Sequence, residues 1–236
     1  WERILEAAKQ TGAQAIHPGY GFLSENDEFA QACVDAGLVF IGPPASAITA
    51  MGLKAESKRL MEAANVPLIP GYHGTNQDPE FLHSEADKIG YPVLIKASSG
   101  GGGKGMRLVE KTEDFETALS KATKHDSIVM AEQWITGSEY TVVILNGEAL
   151  PVIRLEPPKD VAFYDYEAKY NRNDVQYGIP CGLSETEEKE LQALALRAFQ
   201  AVGASGWGRI DAMQDQDGKF WLLEVNTVPG MTSHSL

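Results

Sequence analysis

The sequence predicts a mixed α+β (α/β) fold on three observations. Segments with helical spacing alternate with short, β-branched apolar segments along most of the chain. A glycine run, Gly100 to Gly105 with Lys104 inside it, separates two such apolar segments. Near the C-terminus two further strand-like runs are joined through Asp217-Gly218, the strongest short-range hairpin signal in the chain.

The elements follow in order. Ile4, Leu5 and Ala8 give Trp1 to Thr11 helical spacing, and Gly12 suits its C-terminal end before a short strand over Ala13 to Ile16. The loop His17-Pro18-Gly19-Tyr20-Gly21 comes next. A single histidine at a strand end is more often an ordinary hydrogen-bonded loop residue than a ligand or base. Asn26 is placed to cap a helix through Ala36 with Phe29, Ala30, Cys33 and Val34 on its apolar side, and Gly37 ends it before a buried strand, Leu38 to Ile41. Met51 to Ala64 reads as one helix carrying Lys54 near its start. Val66-Pro67-Leu68-Ile69-Pro70 is an extended linker of the kind proline enforces, and the first lobe is expected to stop there.

Pro79 to Ile89 is helical by pattern, the glycine-loop hairpin follows, and a helix from about Thr112 to Ala122 precedes a strand over Ser127 to Glu132. Glu132-Gln133-Trp134-Ile135 then leads into the connector Thr136-Gly137-Ser138. Strand pattern resumes over Tyr140 to Leu145 with Glu139 at the restart, turns at Asn146-Gly147, and continues over Leu150 to Leu155. Pro157-Pro158 opens a long polar loop, Lys159 to Tyr177, whose aromatic residues suit either a lid or an anchor to the body. Ser184 and Glu187 have the spacing of a capping box for a helix through Val202, with Leu191, Leu194, Ala195, Ala198 and Phe199 facing inward and Gly203 at its end.

Composition narrows the function. With 20 basic and 33 acidic residues the formal charge is −13, which argues against duplex nucleic acid or an anionic membrane as the main partner. No apolar run approaches the roughly 20 residues of a membrane span, and the start of the chain has no signal-peptide pattern, so a cytoplasmic protein is expected. Cys33 and Cys181 lack any C-x-x-C partner and read as buried reduced thiols. The first residue is Trp1 inside a helical pattern, as expected of a trimmed piece of a longer protein.

Two stretches carry chemistry. Pro92 to Ala97 and Met106 to Val109 flank Gly100, Gly101, Gly102, Gly103 and Gly105, and a loop without Cβ atoms lets backbone N–H groups close on an anion while Lys96 and Lys104 add fixed positive charge. A flexible hairpin loop is the plainer reading of glycines alone. The lysines and the acid cluster below favour a polyphosphate. No G-x-x-x-x-G-K-[ST] occurs, and the segment after the glycines is strand-like, so neither a P-loop nor a dinucleotide fingerprint fits. In the C-terminal hairpin a two-residue turn at Asp217-Gly218 pairs Asp211 with Glu224 and Arg209 with Asn226, all four on one sheet face, with Ile210, Ala212, Leu223 and Val225 on the other. Two carboxylates and an amide oxygen at one cross-strand spacing suit a hard divalent cation that also holds substrate phosphates. Arg209 beside them suits phosphoryl or oxyanion charge. The competing reading is a sheet face laced with charge pairs, disfavoured because Asp211 opposite Glu224 repels without a cation between them.

With these residues in place the chain resembles the ATP-grasp superfamily, in which ATP lies between two α+β lobes, and it resembles two members of it. Ala15-Ile-His-Pro-Gly-Tyr-Gly-Phe-Leu-Ser-Glu-Asn26, Phe40-Ile-Gly-Pro43, Met51-Gly-x-Lys54 and Gly90-Tyr-Pro-Val-x-Ile-Lys-Ala-Ser-x-Gly-Gly-Gly-Gly-Lys-Gly-Met-Arg107 resemble biotin carboxylase. From about Val129, the motifs Phe163-Tyr-Asp-Tyr-Glu-Ala-Lys-Tyr170, Gly206-Trp-Gly-Arg-Ile-Asp211, Leu223-Glu-Val-Asn-Thr227 and Pro229-Gly-Met-Thr-Ser-His-Ser-Leu236 resemble D-alanine–D-alanine ligase. The resemblance implies an engineered chimera joined near 115 to 128. It further implies a truncated N-terminal α/β remnant with linker helix over 1–70, a small lobe with the glycine-rich loop over 71–135, and a large lobe with the carboxylate hairpin over 136–236.

By the same resemblance, Lys54 and Lys96 contact ATP phosphates, Gly101, Gly102, Gly103 and Lys104 fold over the β- and γ-phosphates, Glu132, Gln133, Trp134 and Ile135 hold adenine, and Glu139 holds the ribose. Asp211, Glu224 and Asn226 bind Mg²⁺ or Mn²⁺, and Arg209 and Gly230 stabilise transferring charge. Lys169 approaches the γ-phosphate, and Ser235 and Leu236 receive the carboxylate of an acceptor amino acid. The implied activity is ADP-forming carboxylate activation, with D-alanine or bicarbonate as small-molecule substrate and a homodimer as one assembly. Nucleotide binding without turnover is the alternative, because the ligase's N-terminal lobe and its final helices are missing and Val228-Pro-Gly-Met-Thr replaces the carboxylase's glutamate-rich continuation.

Overall fold

The computed structural model describes residues 1–52, 54–98, 106–156 and 176–231, with the backbone alone for 54–56. Helix α1 (Glu2–Thr11) ends on Gly12 in the left-handed region. Strand β1 (Ala15–Ile16) pairs in parallel with β2 (Val39–Phe40) around α2 (Asp27–Asp35), whose N-cap Asn26 accepts a hydrogen bond from Phe29 N at 2.6 Å. Gly19 N donates to His17 Nδ1 at 3.0 Å, the ordinary loop role for that histidine. Helix α3 (Ala45–Gly52) begins earlier than expected, after Pro43-Pro44, and helix α4 (Lys54–Ala63) covers most of the segment expected to be helical over Met51 to Ala64; Leu53 between them lies outside the described residues.

A four-stranded antiparallel sheet of order β3-β6-β4-β5 follows, built from β3 (Gly71–Tyr72), β4 (Val93–Ala97), β5 (Arg107–Val109) and β6 (Val129–Gln133). Helices α5 (Pro79–Ile89) and α6 (Phe115–Ala122) cover one face of it. The alternation of β4 and β6 sends Val93, Ile95, Val129 and Ala131 into a core with Leu82, Ala86, Phe115 and Leu119. Lys96 lies opposite Met130 and Leu94 opposite Glu132, which puts this second set on the face away from the helices.

The larger sheet runs β10-β9-β7-β11-β12, with β8 on β7. Its strands are β7 (Gly137–Leu145), β8 (Glu148–Ala149), β9 (Ile153–Glu156), β10 (Gln176–Gly178), β11 (Trp207–Asp215) and β12 (Phe220–Asn226). Strand β7 starts at Gly137, inside the expected connector, because it follows β11 as far as the Gly137↔Asp215 pair. Helix α7 (Glu185–Ala201) has the expected capping box, with Glu187 N donating to Ser184 Oγ and Ser184 N to Glu187 Oε2. It buries Leu191, Leu194, Ala198 and Phe199 against Val142, Ile144, Ile210 and Leu222, and Met61 and Val66 join the same core. Leu222 N donates to Pro67 O at 2.8 Å, so the proline linker runs beside β12. Cys33 and Cys181 are buried free thiols.

The hairpin differs from expectation in two places that offset each other. Its loop is Gln216-Asp217-Gly218, closed by Asp215 N donating to Lys219 O at 3.0 Å, with Gly218 at φ 83°, a conformation glycine adopts without a Cβ penalty. That turn shifts the register by one. A β-bulge after the Asp211↔Glu224 pair then leaves Leu223 unopposed, so that Ala212 faces Leu222. Both Asp211↔Glu224 and Arg209↔Asn226 therefore form as predicted. The buried partner on the core face is Leu222, fully buried, rather than Leu223.

Candidate functional site

The face of the large sheet away from α7 collects polar groups from three strands. Period-two alternation puts Glu139 and Thr141 of β7, Arg209 and Asp211 of β11, and Glu224 and Asn226 of β12 on the side opposite α7. Asp211 is buried at 2% exposure and is held by four donors. Thr141 Oγ1 and Arg209 Nε reach its Oδ1 at 2.7 and 2.9 Å, and Arg209 Nη2 and Asn226 Nδ2 reach its Oδ2 at 2.9 and 3.1 Å. The Arg209 guanidinium thus offsets the Asp211 charge within the chain.

Across from this face, the small sheet contributes a second charged group. Glu132 of β6 lies between two ammonium groups: Lys96 Nζ donates to its Oε2 at 2.5 Å, and Lys58 Nζ of α4 pairs with its Oε1. The three side chains are 6%, 18% and 8% exposed for Glu132, Lys96 and Lys58. Burial pushes the Glu132 carboxyl up, but the charges of Lys96 and Lys58 outweigh it and hold the group far below the usual carboxylate range. Lys58 is a site residue that sequence reasoning missed. The available signal was its position one helical turn after Lys54, on the same face of α4.

Between the sheets lies a cleft of about 340 Å³, within the size range of small-molecule sites. Lys58, Lys96 and Glu132 line it from one side and Glu224, Asn226 and Thr227 from the other. The structure thus brings Lys96 and Glu132 together with Glu224 and Asn226. Asp211 and Arg209 are not in its lining; Asp211 accepts from Asn226 of the wall and from Arg209 next to it. Gln133 ends β6, Trp134 and Ile135 follow it, and Trp134 N donates to Pro92 O at 3.0 Å. Ile135 is buried and Gly230 is exposed beyond β12. Gly101, Gly102, Gly103, Lys104, Lys169, Ser235, Leu236 and the side chain of Lys54 lie outside the described residues.

The donor set fits a hard divalent cation only in part. Carboxylate and amide oxygens are the right chemistry, and Asn226, donating its Nδ2 to Asp211, turns its Oδ1 away from that group. A carboxylate offers about four acceptor positions, and the four donors on Asp211 fill them. Among the described residues no group of three or more His, Cys, Asp or Glu side chains is close enough to hold a metal ion.

Comparison with known proteins identifies the family. The family model described as "D-ala D-ala ligase C-terminus" matches residues 61–236, and "Biotin carboxylase, N-terminal domain" matches residues 1–48. The D-alanine–D-alanine ligase of Acinetobacter baumannii is 63% identical over 189 residues, which cover 80% of this chain and 61% of the relative. The chain therefore spans about three fifths of the length of the curated relatives it matches. Among solved structures, the D-Ala:D-Ser ligase VanG from Enterococcus faecalis superposes with a TM-score of 0.80 at 25% identity, covering 94% of this chain and 66% of that one. The biotin carboxylase from Campylobacter jejuni, in its β,γ-ATP complex, gives 0.77 at 30% identity, covering 98% and 52%. The fold is the ATP-grasp fold, and, with three quarters of its length matched by one model, the chain belongs to the family of the D-Ala–D-Ala ligase C-terminus.

Proposed function

We propose that this chain binds ATP with Mg²⁺ or Mn²⁺ in the cleft between its two larger sheets and carries the nucleotide half of an ATP-dependent carboxylate–amine ligase of the D-alanine–D-alanine ligase kind. The observation that carries the reading is the cleft itself: Lys96 of the small sheet and Lys58 of α4 line it together with Glu224 and Asn226 of the large sheet, in a volume of small-molecule size. Lys96, which lines the cleft, is assigned to the polyphosphate. Glu132 to Ile135, at the end of β6, are assigned to adenine, and Glu139, on the same face as Asp211, to the ribose hydroxyls.

In the proposed reaction a substrate carboxylate attacks the γ-phosphorus, giving an acylphosphate and ADP, and an amine then displaces phosphate. The cation supplies neutralisation of phosphate charge when bound. Glu224 and Asn226 are the residues assigned to hold it, with Asp211 behind them. Arg209, fixed by Asp211, and the backbone at Gly230 are assigned to the charge that develops on the transferring group. Gly101 to Lys104, Lys54, Lys169, Ser235 and Leu236 keep the roles set out above.

A second reading is nucleotide binding without turnover. ADP release measured with and without D-alanine separates the two. Stimulation by D-alanine supports ligase chemistry, flat release supports passive binding, and stimulation by bicarbonate supports a carboxylase-like activity. Titration of a non-hydrolysable ATP analogue with Mg²⁺ against Asp211→Ala and Glu224→Ala tests the metal assignment, which unchanged affinity in both would remove.

The chain is further proposed to be an engineered chimera, supported by the two family models matching its two ends. Those models leave residues 49–60 between them. The glycine loop Gly100 to Gly105 is the reason for proposing the join further along, near 115 to 128. The division into 1–70, 71–135 and 136–236, a cytoplasmic location and a homodimer complete the proposal. No helix among the described residues is long and apolar enough to cross a membrane.

A further inference from the structure

We infer that Lys58 is a positioning residue of the cleft: by neutralising Glu132 it leaves the ammonium group of Lys96 available to an anionic ligand. The inference rests on the nucleotide reading above. One carboxylate stands between two ammonium groups, Lys58 on Oε1 and Lys96 at 2.5 Å from Oε2. All three side chains are largely withdrawn from water, so each charge is felt strongly by the others. Lys96 is the more exposed of the two lysines, 18% against 8%, and both reach the cleft wall.

Without Lys58, Glu132 and Lys96 form a closed neutral pair, and any phosphate that recruits Lys96 strands a buried carboxylate. With Lys58 in place the trio carries a net charge of +1, and Lys96 can turn to a phosphate while Glu132 stays paired. Without Glu132, the two lysines would repel each other across the same space. The linear order Lys58, Glu132, Lys96 is therefore suited to lending one positive charge to the cleft. His73 reports on the same charge. Burial, and after it the charge of Lys58, hold its imidazole below the ordinary range.

The test is calorimetric titration of a non-hydrolysable ATP analogue with Mg²⁺ into the whole chain and into Lys58→Met, Glu132→Gln and the double variant. Breaking a buried pair is expensive, so Lys58→Met is expected to weaken binding at least ~10-fold in the wild-type background, yet no more than ~3-fold where Glu132 is already Gln. Equal affinity for Lys58→Met and wild type overturns the inference, and so does an equal loss in both backgrounds. Lys58→Gln keeps a donor to Oε1 without charge and carries the same expectation should Lys58→Met not fold. A readout independent of the ligand is the His73 ring titration by NMR, which is expected to move up in Lys58→Gln; an unmoved His73 contradicts the charge placement. A wild-type chain that fails to bind the analogue overturns the nucleotide reading as well, whereas wild-type binding with an indifferent Lys58→Met overturns Lys58 alone.

Discussion

Replacing Arg209 with Met isolates the part of the site on which the large sheet's polar face depends. The guanidinium makes two hydrogen bonds of 2.9 Å to a carboxylate that is 2% exposed, and its own side chain is 16% exposed. At ~4 Å between charge centres and an effective dielectric constant of about 20, the attraction is about 4 kcal/mol. Removing one partner of a buried pair generally costs about 3–5 kcal/mol, because the remaining charge stays desolvated. Thr141 and Asn226 still donate to Asp211, which points to the lower end, about 3 kcal/mol. Urea unfolding followed by tryptophan fluorescence measures it, with Trp207 reporting from the same strand. Arg209→Met combined with Asp211→Asn is expected to recover most of the loss, since no unpaired charge remains. Added Mg²⁺ is expected to stabilise Arg209→Met more than wild type, because a divalent ion can take the place of the missing guanidinium. A loss below about 1 kcal/mol in Arg209→Met would place the pair in the class of solvent-screened surface ion pairs and refute the reasoning.

Three other outcomes follow from the coordinates. Glu132 has a folded pKa depressed from its ordinary 4.5, so the stability it contributes is complete above that value and is lost as pH falls below it. Unfolding measured from pH 5 downward is therefore expected to be steeper for wild type than for Glu132→Gln, by up to about 1.4 kcal/mol per pH unit, and parallel slopes contradict the clamp. Leu222→Ala, in the fully buried core, is expected to cost about 2–5 kcal/mol, while Leu223→Ala at the bulge costs less than about 1 kcal/mol; thermal melts giving equal losses would contradict the bulge. In Gly208→Ala the new Cβ falls 2.6 Å from Phe199 Cε2 and 3.0 Å from Asn226 O, and because Phe199 is buried under α7 the cost is expected to be about 1–3 kcal/mol, with weaker nucleotide-analogue binding as Asn226 shifts.

Much of this architecture is legible in the sequence because it obeys local rules. The capping box at Ser184 and Glu187, the Asn26 cap and the Pro79 to Ile89 helix depend on groups within one helical turn of each other. Period-two alternation puts Asp211, Glu224, Arg209 and Asn226 on one face. The Asp211↔Glu224 pairing survives only because the longer turn and the bulge shift the register in opposite senses. Neither shift is visible locally: Asp217-Gly218 serves a two-residue or a three-residue loop equally well, and a bulge is selected by what packs behind the strand. Here that partner is the α7 core, which takes Leu222 and leaves Leu223 in the cleft wall.

The sequence by itself determined which described segments become strands and helices, that Lys96 sits within a strand, and which acids share a face. Those choices are set by sterics, capping and side-chain period over a few residues. Only the tertiary structure decided that Lys58 of α4 reaches Glu132 and that Arg209 neutralises Asp211. Both are pairings of long, flexible side chains whose partners are fixed by how helix and sheet pack, and the Coulomb energy that selects them becomes large only once packing has excluded water.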